Sequence, residues 1–250
     1  MILPQSSGSF PIGRDGYGVA GMTAPTTTDS RAPAEARIVV RPLATPLPLG
    51  LYSFGIGMLM LAAQSAGWIP IAQGKDVGLI VASFVFPLES AAAIFAFLAR
   101  DAVAATALGL FSTSWLTIGL ALILGPPGSS VAALGFYLVA FAAAVGTLAL
   151  LGLSGKPLLS VILALSTTRA IIDAIYEFSG SLGAERAAGY AAAAIAVAAW
   201  YAGTAMVLED VQQSTVLPIF RRGTSKTAIE GGLADQLSGL GSEAGVRRPL

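Results

Sequence analysis

Six long apolar runs, parted by short breaks, constrain this chain more than any other feature of its sequence. They cover 47–67, 77–99, 102–124, 131–153, 157–177 and 185–208. About 20 apolar residues in helical form cross the hydrocarbon core of a bilayer. No water is available there to satisfy an open backbone, so each run is expected as a helix. The breaks IPIAQGKD, RD, GPPGSS, SGK and FSGSLGA carry glycine, proline or charge, which ends a helix. Links this short make successive helices antiparallel neighbours. The expected fold class is therefore all-α, a polytopic membrane protein with six transmembrane helices in one bundle. The bundle is expected over 37–220, between disordered tails at 1–36 and 221–250. The first tail is rich in Ser, Thr, Pro, Gly and Ala with no apolar periodicity. ARIVVRP, 36–42, reads as a short lead-in.

Composition agrees and excludes several chemistries. The chain is 55% hydrophobic and 11% charged, against roughly 25% charged in a soluble domain. Cysteine and histidine are both absent. That removes disulfides, thiol chemistry, Ser-His hydrolysis and histidine-ligated zinc or haem. Asp173 is the one aspartate in an apolar run, so paired intramembrane aspartates are missing too. No enzyme, cofactor or metal is expected. A net charge of zero gives no pull toward nucleic acid. The first residues have neither a basic start nor an apolar h-region, so the first span is expected to act as the targeting signal.

Charge at the helix ends sets an expected orientation. Arg37, Arg41, Arg100, Lys156, Arg221 and Arg222 fall on one side, and Lys75 and Arg186 on the other. The positive-inside bias then places both termini in the cytoplasm, with the chain multi-pass in the cytoplasmic membrane. The fourth and sixth spans are crowded with Ala and Gly, which let helices approach closely. Packing within the chain and an oligomer interface explain this equally well. Trp68 suits an interfacial belt, and Trp115 and Trp200 read as packing residues.

Two stretches carry polar groups at membrane depth. In STTRAIIDAIYE, 166–177, Arg169, Asp173 and Glu177 recur every four residues on one helical face, with Ser166 and Tyr176 close by. Glu89 lies near the middle of the second span, just after Pro87. Intramembrane charges are costly, face the protein interior and pair with one another. One reading is a structural Arg169–Asp173 pair with Glu89 as a second partner. The other makes Arg169 an anion-attracting group beside a pore, partly neutralised by a carboxylate. Glu177, near the helix end, reads as a solvated interfacial charge. The second stretch, TPLPLGL at 45–51, opens the first span. Pro46 and Pro48 lack N–H donors and Gly50 leaves its backbone uncovered, so the segment either frees polar backbone beside a wet cavity or starts a helix in its first turn.

TPLPLGL resembles the NPAPLGL signature of the acetate uptake transporter family, the acetate/succinate permeases, in Pro46, Pro48, Leu49, Gly50 and Leu51. YSFG at 52–55, SWLT at 114–117, GxYL at 135–138 and STVLP at 214–218 are similar to family fragments and occur in family order. The resemblance implies a six-helix protein, usually a homo-hexamer with a pore in each protomer, that moves acetate, succinate and similar small carboxylates, by channel or proton coupling. It implies a carboxylate-binding segment at Thr45, Pro46, Pro48, Leu49, Gly50 and Leu51. It places Phe54 at a pore constriction and Leu88 near a second-helix gate. With them, Glu89, Arg169 and Asp173 complete the candidate pore lining. Departures are Thr45 for Asn, Leu47 for Ala, and Glu89-Ser90-Ala91-Ala92-Ala93 for Gly-Gly-x-x-Gln. Arg169 and Asp173 stand where the family is usually aliphatic. A membrane scaffold without transport and a pore for a neutral solute are the alternative readings.

Overall fold

A computed structural model describes residues 44–212, 214–223 and 226, all within the unit Pro42–Leu250. The segment 1–36 and most of 221–250, read above as tails, lie outside the described residues. Everything regular among the described residues is helical. The elements are α1 (Leu47–Ser65), α2 (Gly74–Ile80), α3 (Phe86–Leu98), α4 (Ala102–Leu124), α5 (Ala132–Gly152), α6 (Pro157–Ser179) and α7 (Leu182–Gln212). A short 3₁₀ turn at Ile71–Gln73 precedes α2, and a π-helical turn at Val81–Val85 joins α2 to α3. These make six membrane-spanning helices, the second running continuously over Ile71–Leu98.

Several boundaries differ from the sequence reading. The second span starts at Ile71 rather than 77, because Pro70 opens a turn instead of extending the break. The sixth runs over Leu182–Gln212 rather than 185–208, and the fifth reaches Ser179, where Gly180 ends it in the left-handed conformation at φ 64°. The first ends two residues early, at Ser65.

The spans close into a ring in which α1 packs on α7 and α3, α7 on α6, α6 on α5, and α4 on α2, α3 and α5. Small residues make the closest approaches. A Cβ on Gly189 of α7 would lie 2.5 Å from the Ala66 nitrogen, and one on Gly78 of α2 would lie 2.7 Å from the Gly119 carbonyl of α4. Ala188, Ala192, Ala196, Ala199 and Ala202 are all buried inside the chain. The alanine stripe of the sixth span therefore serves packing within the protomer. The π turn answers Pro87: a proline in mid-span cannot donate and crowds the preceding turn, and the Phe86 N–H instead reaches back to the Val81 carbonyl. This extra residue in the turn shifts the helical register that brings Glu89 to the interior.

An even number of spans leaves the start of α1 and the end of α7 on one face, called here the tail side. On that side Lys156 pairs with Asp101, and Asp101 also caps α4 through the Ala104 N–H at 3.3 Å. The segment after α7 folds back. Glu209, 4% exposed, takes Arg221 at 2.5 Å and the Thr215 hydroxyl at 3.0 Å. Tyr201 donates to the Pro218 carbonyl and the Arg222 N–H to that of Gly155. Arg221 and Arg222, read from sequence as the start of a loose tail, are thus held against the bundle.

Candidate permeation path

Three cavities follow one another through the bundle. The tail-side cavity is lined by α1, α3, α4 and α6, with Gly50, Leu51, Phe54, Glu89, Leu108 and Phe111 among its walls. A middle cavity holds Ser114, Trp115, Phe141, Ser166 and Arg169. The third, about 130 Å³, opens on the far side between Gln64, Lys75, Arg169, Asp173, Glu177 and Glu185. Phe111 borders the first two, and Arg169 the last two.

Aromatic rings divide the tail side from the rest. Phe54, 3% exposed, meets Phe111 edge-on at 4.7 Å between centroids and Trp115 at 5.9 Å. Phe111 in turn meets Phe141 at 5.2 Å. These T-shaped contacts suit ring quadrupoles and fill the bundle's middle with aromatic rings. Glycines on α1 make room for them. A Cβ on Gly57 would come within 2.7–2.9 Å of the Trp115 ring, and one on Gly55 within 2.5 Å of Trp200.

Glu89 lies on the tail side of that block and has no exposed surface. Trp115 donates its indole N–H to Glu89 Oε2 at 2.8 Å, and Oε1 has no protein partner. Glu89 therefore pairs with Trp115 and not with Arg169, because the two charged residues open into different cavities. Trp115 does more than pack: a reading based on bulk alone misses it, although an indole in a span with a carboxylate nearby is a donor in need of an acceptor.

Arg169 pairs with Asp173 at 2.9 Å, one turn along α6, with side chains 8% and 15% exposed. Its Nε has no partner. Ser166 spends its hydroxyl hydrogen on the Ile162 carbonyl at 2.8 Å. Glu177 is half-buried, and its carboxylate takes the Val131 N–H at the start of α5 at 2.5 Å. It caps a neighbouring helix, which corrects its reading as a merely solvated charge.

The opening segment is helical from Leu47, with Pro48 in the first turn and the Gly50 N–H bonded to the Pro46 carbonyl at 3.2 Å. Of the two readings left open, the proline-started helix is the one found. Gly50 and Leu51 line the tail-side cavity, and a Cβ on Gly50 would press on Leu108 at 2.5 Å. Thr45 is exposed, Leu49 is 42% exposed, and Pro46, Pro48 and the half-buried Leu88 line none of these three cavities.

A ring of six spanning helices around a chain of internal cavities defines a polytopic membrane protein of channel-like build. The model of the GPR1/FUN34/yaaH family matches residues 28–221, well over half of the chain. The chain belongs to this family, the acetate uptake transporter family that its opening segment resembles. The structure of the bacterial acetate channel SatP is similar at a TM-score of 0.65 and 22% identity, covering 71% of this chain and 99% of that one. At that identity the likeness is one of fold. No curated protein matches the chain.

Proposed function

We propose that this protein passes a small carboxylate such as acetate or succinate across the cytoplasmic membrane, with the tail side facing the cytoplasm. The observation that carries the reading is the succession of cavities from Gly50 and Glu89, past Phe54 and Phe111, to Arg169. Membership of the family and the fold shared with an acetate channel support it. In this reading Arg169 draws the anion into the far-side cavity, and Asp173 holds the guanidinium in place. The aromatic block is the constriction, so a ring must turn for solute to pass. Passage takes place within each protomer, and assembly into a homo-oligomer, a hexamer as in the family's usual build, is part of the proposal. Nothing in the path asks for covalent chemistry.

Uptake of labelled acetate, lactate and succinate into proteoliposomes tests this reading. Flux above that of protein-free vesicles is expected for at least one of them. Gly50→Val should obstruct the tail-side cavity, and Phe54→Ala should widen the constriction. Unchanged flux of every carboxylate in both variants would remove the path from contention.

A further inference from the structure

The tail-side cavity poses a problem for a carboxylate path. Its one ionisable lining group is Glu89. α1, α4 and α6 turn only apolar side chains toward it, among them Leu51, Phe54, Leu108, Phe111, Ile162 and Leu163. No cation among the described residues lines it, and Arg169 borders the other two cavities. Trp115, the neighbour of Glu89 from α4, is a neutral donor and occupies one oxygen only. The other oxygen is buried and unpartnered, on a residue that lines the cavity. The space is about 20 Å³, enough for a group the size of water, such as one end of a carboxyl.

Two carboxylates brought to hydrogen-bond distance in apolar surroundings do not both stay ionised; they share a proton. We propose that Glu89 is the proton-sharing, specificity-determining residue of the path: the solute's carboxyl passes the tail-side cavity only as a one-proton pair with Glu89 Oε1. The proton arrives on either partner, lies between Oε1 and one solute oxygen, and leaves on the solute, so Glu89 ends as it began. This rests on the transport reading above and adds to it the group that ties passage to a proton.

Replacement by glutamine makes the assignment sharp. Trp115 requires an acceptor, which turns the amide oxygen toward the indole and puts the NH₂ in the place of Oε1. The variant then offers a fixed donor where the parent needs a shared proton. In proteoliposomes, lactate influx above that of protein-free vesicles should fall as pH rises in the parent, approaching about tenfold per unit once both carboxyls are ionised. In Glu89→Gln it should change by less than about twofold over the same span. Glu89→Leu, with neither donor nor acceptor, should lose most of the flux at every pH. Size-exclusion profiles check that each variant is folded. Should Glu89→Gln aggregate, the parent's own profile still decides: flux independent of pH overturns the proposal. It is equally overturned if folded Glu89→Gln keeps the parent's pH dependence. A parent that moves no carboxylate at any pH removes the transport reading itself, a result distinct from a transporting parent that ignores Glu89.

Discussion

Two buried carboxylates, Asp173 and Glu89, are held in opposite ways. Asp173 sits one helical turn from a guanidinium on its own helix, at 2.9 Å, and the pair borders a cavity open to the far side. Glu89 has no cation beside it among the described residues. Its support is an indole 26 residues away on another helix, and its second oxygen is buried without a hydrogen-bond partner. The first unit is neutralised locally and can stand anywhere an open cavity reaches. The second exists only because α3 and α4 pack against each other. Buried polar groups without partners cost stability, so the two carboxylates load the fold differently.

The contrast can be broken most forcefully at Arg169. Arg169→Ala strands Asp173, and breaking a buried pair in this way costs about 3 kcal/mol. A marked drop in thermal unfolding temperature in detergent is the expected result. Arg169→Leu combined with Asp173→Leu should recover most of it, since apolar groups replace a pair at little cost. A single variant as stable as the parent would show that no pair holds this helix.

Trp115→Phe probes the other unit. It removes the indole donor to Glu89 and leaves a gap beside Phe54. The expected loss is about 2 kcal/mol, from an unsatisfied buried carboxyl and lost packing. Glu89→Leu in the Trp115→Phe background should cost less than the sum of the two changes, because partners in one network are not additive. Additive losses would mean that the indole and the carboxyl do not depend on each other.

Gly57→Ala acts on the same indole from α1. Its new methyl would meet the Trp115 ring at 2.7–2.9 Å. Overpacking costs about 1–3 kcal/mol, and the better helix propensity of alanine returns up to about 1 kcal/mol. A net destabilisation of about 1 kcal/mol is expected, accompanied by a shift in tryptophan emission. No shift would place the ring elsewhere.

The smallest effect belongs to Lys156→Ala. It breaks the pair with Asp101 on the tail side, where both side chains are about a fifth exposed. Such pairs contribute less than about 1 kcal/mol and weaken in salt. A loss that persists at high salt would give this pair a larger share in holding the loop between α5 and α6.

The lesson of the comparison extends to what could be read in advance. Hydropathy alone located all six spans, because a 20-residue apolar run has few alternatives in a membrane chain. Helical spacing offered the Arg169–Asp173 pair as one of two readings, since four residues of helix bring the two side chains together. The opening segment was legible as a choice between two readings, and the helix start was the one realised at Leu47. Where helices meet was not legible. The π turn before Pro87, the seat of Trp115 on Gly57, and the return of Arg221 to Glu209 all depend on contacts between residues far apart in the chain. The sequence by itself determined the class of protein, the number of spans and the local ion pair, because each follows from period and composition within one helix. Only the tertiary structure decided that Glu89 faces Trp115 instead of Arg169, since which faces of two helices meet is settled by packing across the whole bundle and leaves no mark on either helix alone.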